Sequence, residues 1–343
     1  ILIWAGDRSE WGIKAMGSIA VDGPALLFWS LLLVFAFGGV ALFAERKVGA
    51  GQSAFAASAA TVPGSPMERE ADRQEREHTE VFPLMLFSLF GMMLFASSND
   101  LLALFIGLEI LSLPLYLLSG MARRRRLLSH EAALKYFLLG AFASGFLLFG
   151  VALLYGYSGS FEYGVISDTI SAGGGHNLLL LGGIILLAVG TLFKVGAVPF
   201  HAWTPDVYQG APTPVTGFMA AATKIAAFAA MLRLFYVIFS GLRWDLEVMM
   251  WVIIGLTMLV GTVVGLTQDN IKRMLAYSSI AHAGFVLLGV VALQQDGPSS
   301  VFFYLLAYGL ASVGAFAVVN SVRERDALGH VTSEAGELDQ WKG

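Results

Sequence analysis

The stretch GTLFKVGAVPFHAWTPDVYQGAPTPVTG, Gly190 to Gly217, decides how the chain is read. It lies between two long apolar runs. Lys194 closes the first run, and Pro199, Pro205, Pro212 and Pro214 follow it closely. Pro199 with Gly196 predicts a helix that breaks beside a buried lysine. A broken helix inside a bilayer leaves N–H and C=O groups unpaired, which is tolerated only against protein or a wet cavity. The competing reading is a surface loop made of HAWTPDVYQGAPTP, and periodicity does not separate the two.

The setting of that stretch is apolar. Of the 343 residues, 57% are hydrophobic and 13% charged, against roughly 25% charged in soluble domains. The chain reads as an integral membrane protein. Its longest basic run, Arg123 to Arg126, borders an apolar span; there it sets topology rather than binding nucleic acid. The absence of cysteine excludes thiolate-held iron–sulfur clusters and thiol redox chemistry in this chain.

About twenty apolar residues cross a bilayer as a helix. Runs of that kind fall near 24–44, 81–98, 100–121, 129–155, 177–200, 213–239, 246–267, 271–293 and 299–321, about nine spans. The expected fold is an all-α polytopic membrane bundle. The connections alternate in charge. Those at 45–80, 121–128, 268–273 and 321–343 carry Lys and Arg, and the intervening ones carry almost none. The positive-inside rule puts the basic set in the cytoplasm, provided 201–212 lies on the same side. The expected organisation is an extracytoplasmic loop 1–23, a spanning helix 24–48 and a charged cytoplasmic loop 49–80. A bundle 81–322 and a polar cytoplasmic segment 323–343 follow, with further helices expected beyond it. The 49–80 loop ends in MEREADRQEREHTE, which predicts a solvated helix or a disordered insert.

Ionisable residues within the spans are the candidate functional groups, since each costs roughly 2.5–3.5 kcal/mol at a helix centre. Glu109 lies ~13 Å into its span and Lys224 ~16 Å into its own, at 1.5 Å per residue. Lys194 meets the proline cluster, and Lys135 sits shallower. The bland alternatives are a snorkelling Lys135, a structural ion pair for Glu109 or Lys224, and a surface anchor for Arg233. The functional reading is a proton path. A desolvated lysine changes its proton affinity when a nearby carboxylate moves or changes partner. His201, seven residues past Lys194, and His282, in YSSIAHAGF, would add steps near neutral pH.

The run FKVGAVPFHAWTPDVYQGAPTPVTGFMAAATKIAAF resembles the central signature of subunit N (mitochondrial subunit 2) of respiratory complex I, the proton-pumping NADH:quinone oxidoreductase. Related subunits M and L and the multisubunit Na+/H+ antiporters typically carry WLPDAH and EAPT, then a KLGGYG-like run. IKRMLAYSSIAHAGF is common to that wider antiporter-like family. The resemblance covers the chain from Val21 onward, except for the 49–80 loop. It implies about fourteen helices in the whole protein, with inverted repeats that each have a broken helix. It places Glu109, Lys135, Lys194 and Lys224 on four successive helices. It also implies that the glutamate pairs with Lys194, that Lys224 passes protons onward, and that His201 stands near the break. It further implies a plasma-membrane location and neighbouring membrane subunits as partners. This chain is expected to hold no cofactor, while the complex uses NADH, FMN, iron–sulfur clusters and quinone. The expected length leaves the chain a fragment, starting before the third helix and stopping before the second broken one. The alternative is a cation/proton antiporter subunit.

Overall fold

The computed structural model describes residues 11–46, 53–58, 60–74, 79–173, 177–294, 296–325 and 331–341. Residues 1–10, and parts of the 49–80 and 323–343 segments read above, lie outside the described residues.

Apolar composition and polar caps fix the helices. α1 (Gly23–Phe43) follows β1 (Gly12–Lys14) and β2 (Ile19–Val21), and α2 (Pro66–Arg73) is a short helix in the charged loop. α3 (Val81–Ser97), α4 (Leu101–Ser119), α5 (Arg126–Ser158) and α6 (Tyr163–Gly173) come next. α7 (Leu178–Val195) and α8 (Trp203–Gly210) precede α9 (Thr213–Arg233), α10 (Arg243–Gly265), α11 (Ile271–Val291) and α12 (Gly297–Ser321). β3 (Arg323–Arg325) and β4 (Val331–Glu334) pair as a hairpin after α12, followed by a single helical turn, Leu338–Trp341. Eight of these helices are long and apolar enough to cross a membrane, and α3 is one residue shorter than that set requires. Asp22, Asp100, Asn177 and Asn270 cap α1, α4, α7 and α11 through side-chain acceptors. Each cap satisfies an N–H that apolar surroundings would leave unpaired.

The spans run alternately up and down. The arginine run, the α9 and α11 starts and the β3–β4 hairpin share one face, joined by bridges Phe55–Ala122 and Asn270–Glu337. The β1–β2 hairpin packs on the other face, where Ile19 bridges Ser98 and Asp100 bridges Glu162. Arg233 reads in sequence as an anchor. It is instead a clamp: Nε donates to the Ala96 carbonyl (2.9 Å) and a terminal nitrogen pairs with Asp22 (2.6 Å).

α9 is the hub. Every residue from Thr213 to Leu232 is buried, with α1, α3, α4, α7, α11 and α12 packed around it. Its TGFMAAATKIAAFAA run is rich in small residues, which let neighbouring backbones approach closely where lipid gives no hydrophobic drive. The same device sets α3 against α4. A Cβ on Gly107 would lie 2.7 Å from the Phe95 nitrogen, and one on Gly91 would collide with the Leu111 backbone. Gly91→Val is therefore expected to force α4 away. It should lower stability by about 1–3 kcal/mol, read as a drop in the unfolding midpoint in detergent.

The chain forms the expected all-α membrane bundle, and its two hairpins, with strands of three or four residues, are small additions to it. Some boundaries need correction. The fifth span stops at Val195 rather than near 200, and α6 fills part of the connection after α5. The charged loop does contain a helix, α2, but its Ala/Ser-rich start carries Phe55 into the core, against Phe43 at 5.1 Å. Arg126, nearly buried, pairs with Glu68 at 2.7 Å, and Arg123 pairs with Asp72 at 3.3 Å, tying α2 to the bundle. The Arg126 hydrogen bond, opposed by burial, holds the Glu68 carboxyl below its usual range. That contribution is present above the unfolded carboxylate value and is lost as pH falls through the lower folded one. Lower protection of the α2 amides against hydrogen exchange, relative to their intrinsic rates, is expected at acid pH, with the spans still protected.

Candidate functional site

The site is built at the C-terminal end of α7. Gly196 takes φ +75°, a left-handed conformation that ends the helix, and a Cβ there would meet Thr204 Oγ1 at 2.9 Å. The Val198–Pro199 peptide is cis, and α8 resumes at Trp203. Backbone groups freed by the break find partners inside the bundle. The Ala197 N–H donates to Leu192 O (2.9 Å), and the Val198 N–H donates to Thr257 Oγ1 on α10 (3.0 Å). The helix break predicted beside Lys194 is real, and it is packed in protein.

Two ammonium groups converge on that broken end. Lys194, 3% exposed, donates to Ser112 Oγ on α4 (2.8 Å) and to the Tyr136 hydroxyl on α5 (3.4 Å). Its Nζ also stands 5.5 Å from the Tyr136 ring centre. Lys224, 4% exposed, donates to the Val195 carbonyl (3.1 Å) and to the Ser279 carbonyl on α11 (2.6 Å). Val195 O is one of the carbonyls that the end of α7 leaves without an intrahelical partner. A cation there also meets the negative end of the helix dipole. Two hydrogen bonds to a charged group contribute about 1.5–3 kcal/mol each, which offsets the roughly 2.5–3.5 kcal/mol cost of a lysine at this depth.

Glu109 acts on Lys194 electrostatically but makes no ion pair with it within 4.0 Å, and its Oε1 is buried without a hydrogen-bond partner. The pairing that the resemblance implies is thus open in this conformation. Ser112, three residues after Glu109 on the same helical face, holds the lysine and donates its own proton to Leu108 O (2.5 Å).

Lys135 stands apart from this pair. Its side chain is 43% exposed and pairs with Glu131 (2.7 Å) and Asp206 (2.8 Å). Asp206, on α8, also holds Arg273 of α11 at 2.6 Å. The half-helix after the break is therefore clamped to α5 and α11 by a single carboxylate. His201 lies within the break with Nδ1 buried and unpartnered. His282 Nδ1 lies 2.7 Å from the Tyr304 hydroxyl, beside the Tyr308 ring. Lys224 acts electrostatically on the His282 ring. Ser112, Tyr136, Asp206 and Arg273 were missed in the sequence. Only Ser112 carried a signal, its helical spacing from Glu109. Among the described residues, no cluster of metal-ligating side chains occurs.

The arrangement can hold and redistribute charge between buried lysines and a carboxylate. Known proteins are similar to this chain in sequence and fold. Residues 98–336 match the family model for the transmembrane part of NADH:quinone oxidoreductase/Mrp antiporter proteins. A relative from Nocardioides called NADH-quinone oxidoreductase subunit N is 60% identical, over 98% of this chain and 64% of its own length. A chain of respiratory complex I from Thermus thermophilus superposes with a TM-score of 0.71 at 37% identity, over 98% of this chain and 64% of that one. A chain of the Mrp complex from Dietzia also reaches 0.71, at 24% identity over 89% of this chain and 55% of its own, and so shares the fold. This chain thus spans 64% of the length of the Nocardioides relative. A bundle with a broken helix, matched over most of its length, belongs to the NADH:quinone oxidoreductase/Mrp antiporter transmembrane family.

Proposed function

We propose that the chain is part of a proton-translocating membrane subunit of an NADH:quinone oxidoreductase, set in the plasma membrane with its basic face toward the cytoplasm. The observation that carries this reading is the convergence of Lys194 and Lys224 on the end of α7, with Glu109 in electrostatic range. In this reading Lys194 exchanges partners between Ser112 with Tyr136 and the Glu109 carboxylate. Each exchange changes the field at Lys224 and so its hold on a proton. Lys135, His201 and His282 serve as uptake and onward groups along the same path. Neighbouring membrane subunits supply the driving change. The NADH, FMN, iron–sulfur and quinone chemistry belongs to other subunits, in keeping with a chain that has no cysteine.

The test is Lys194→Ala in the assembled complex, reconstituted into vesicles with NADH and quinone. Expected is normal assembly with proton uptake reduced about tenfold or more, equivalent to roughly 1.4 kcal/mol or more on the barrier. Unchanged pumping would leave the lysines as structural ion partners. Uptake that depends on sodium would place the chain in an antiporter instead.

A further inference from the structure

Trp203 opens α8 directly after the break and is buried. A tryptophan inside a membrane bundle needs a partner for its indole N–H. It finds one at the end of α7: Nε1 donates to the Phe193 carbonyl (2.9 Å), one residue before Lys194. The break supplies that acceptor, because the last carbonyls of a helix have no N–H four residues on. The Gly196 N–H shares it (3.0 Å), and the Phe193 ring tilts against the same indole at 5.4 Å. The indole is thus fixed to the backbone that carries Lys194.

The same indole lies flat on Tyr136 of α5, with ring centres 4.7 Å apart and planes 8° off parallel. Tyr116 of α4 meets the Tyr136 ring at a right angle, 4.6 Å away. Tyr136 is fully enclosed, so these two neighbours decide how its ring stands. A tyrosine hydroxyl lies in the plane of its ring and points where the ring points. This one stands 3.4 Å from Lys194 Nζ.

One side chain therefore holds Lys194 from two directions, through its backbone neighbour and through its hydroxyl partner. The helix that carries Trp203 is itself anchored. Asp206, three residues on and on the same face, ties α8 to Lys135 of α5 and Arg273 of α11. The ionic clamp and the stacked ring belong to one half-helix of eight residues. A shift of α8 moves the Tyr136 hydroxyl and the Phe193 carbonyl together, and both flank Lys194.

We infer that Trp203 is a positioning residue for proton translocation, an inference that rests on the proton path proposed above. Its indole sets Tyr136 and the end of α7 so that the Lys194 ammonium leaves the Glu109 carboxylate for Ser112 and Tyr136. Without the stacked face the Tyr136 ring turns freely, and the exchange of partners loses one of its two ends.

The test is a double-mutant cycle in the assembled complex, with proton uptake into vesicles measured per complex. Trp203→Leu removes the flat face and the N–H, and Tyr136→Phe removes only the hydroxyl. Each should lower uptake several-fold. The double variant should fall no further than the worse single one, because both disable the same contact. Trp203→Phe keeps an aromatic face for Tyr136 and should retain most of the uptake, a rescue that an aliphatic side chain does not give. Should Trp203→Leu fail to assemble, Trp203→Met takes its place, since its unbranched chain fills irregular gaps. Lys194→Ala is run beside them. If it loses pumping, the inference is overturned by losses that multiply in the double variant or by unchanged uptake in either single one. A phenylalanine variant no better than leucine overturns it too. Normal uptake in Lys194→Ala instead removes the proton path, and this inference with it.

Discussion

Lys224→Ala is expected to abolish coupled turnover: quinone reduction and proton uptake should fall together, by about tenfold or more, in a complex that still assembles. The reason lies in what the ammonium touches. It is a buried cation midway along α9, and it bonds the end of α7 through Val195 O and α11 through Ser279 O. Alanine removes the charge and the link between the two helices, but leaves small-residue packing that the ALA-rich hub already uses. Lys224→Arg keeps the charge yet brings a larger, planar group into a helix buried on all sides, where overpacking costs about 1–3 kcal/mol. It should restore activity only in part. The measurement is NADH:quinone activity and vesicle acidification on one preparation, with complex content quantified beside them. Full activity in Lys224→Ala would remove Lys224 from the path, and loss through absent complex would assign it a purely structural role.

Glu109 is expected to show the largest difference between two conservative changes. Its carboxylate acts on Lys194 at a distance, and Oε1 has no hydrogen-bond partner. A role carried by charge survives shortening but not neutralisation. Glu109→Gln, which keeps the shape, should lose pumping about tenfold or more. Glu109→Asp should retain a substantial share. Equal rates in the two variants would show that shape, not charge, is what position 109 supplies. The Gln variant also frees Lys194 from its distant counter-charge, so its amine should remain docked on Ser112 and Tyr136.

Much of this is legible in the sequence. The spans follow from run length, and the break at Gly196 follows from proline and glycine beside a lysine, because helix chemistry is local. The partners of Lys194 are not local. Tyr136 adjoins Lys135 in sequence, but neighbouring residues on a helix point about 100° apart. Lys135 therefore turns toward Asp206 and Tyr136 turns toward Lys194. Asp206 sits among prolines that read equally well as loop, and only the packing of α8 shows what it clamps. Arg233 looked like an interfacial anchor because its partners, Asp22 at the cap of α1 and Ala96 on α3, are remote in sequence. Phe55 gave no warning at all, since a single aromatic in an Ala/Ser-rich run has no period.

The full enclosure of α9 has a consequence for how the chain is made. A segment buried in protein from Thr213 to Leu232 is excused from being greasy, and the span that holds it, Thr213–Ile238, has the lowest mean hydropathy of the eight, 1.6 against 1.8 to 2.4. Left alone in a bilayer, it would be the first to slip out. Its tenancy depends on the ring of greasier helices, so the ring must be largely gathered before the centre can settle.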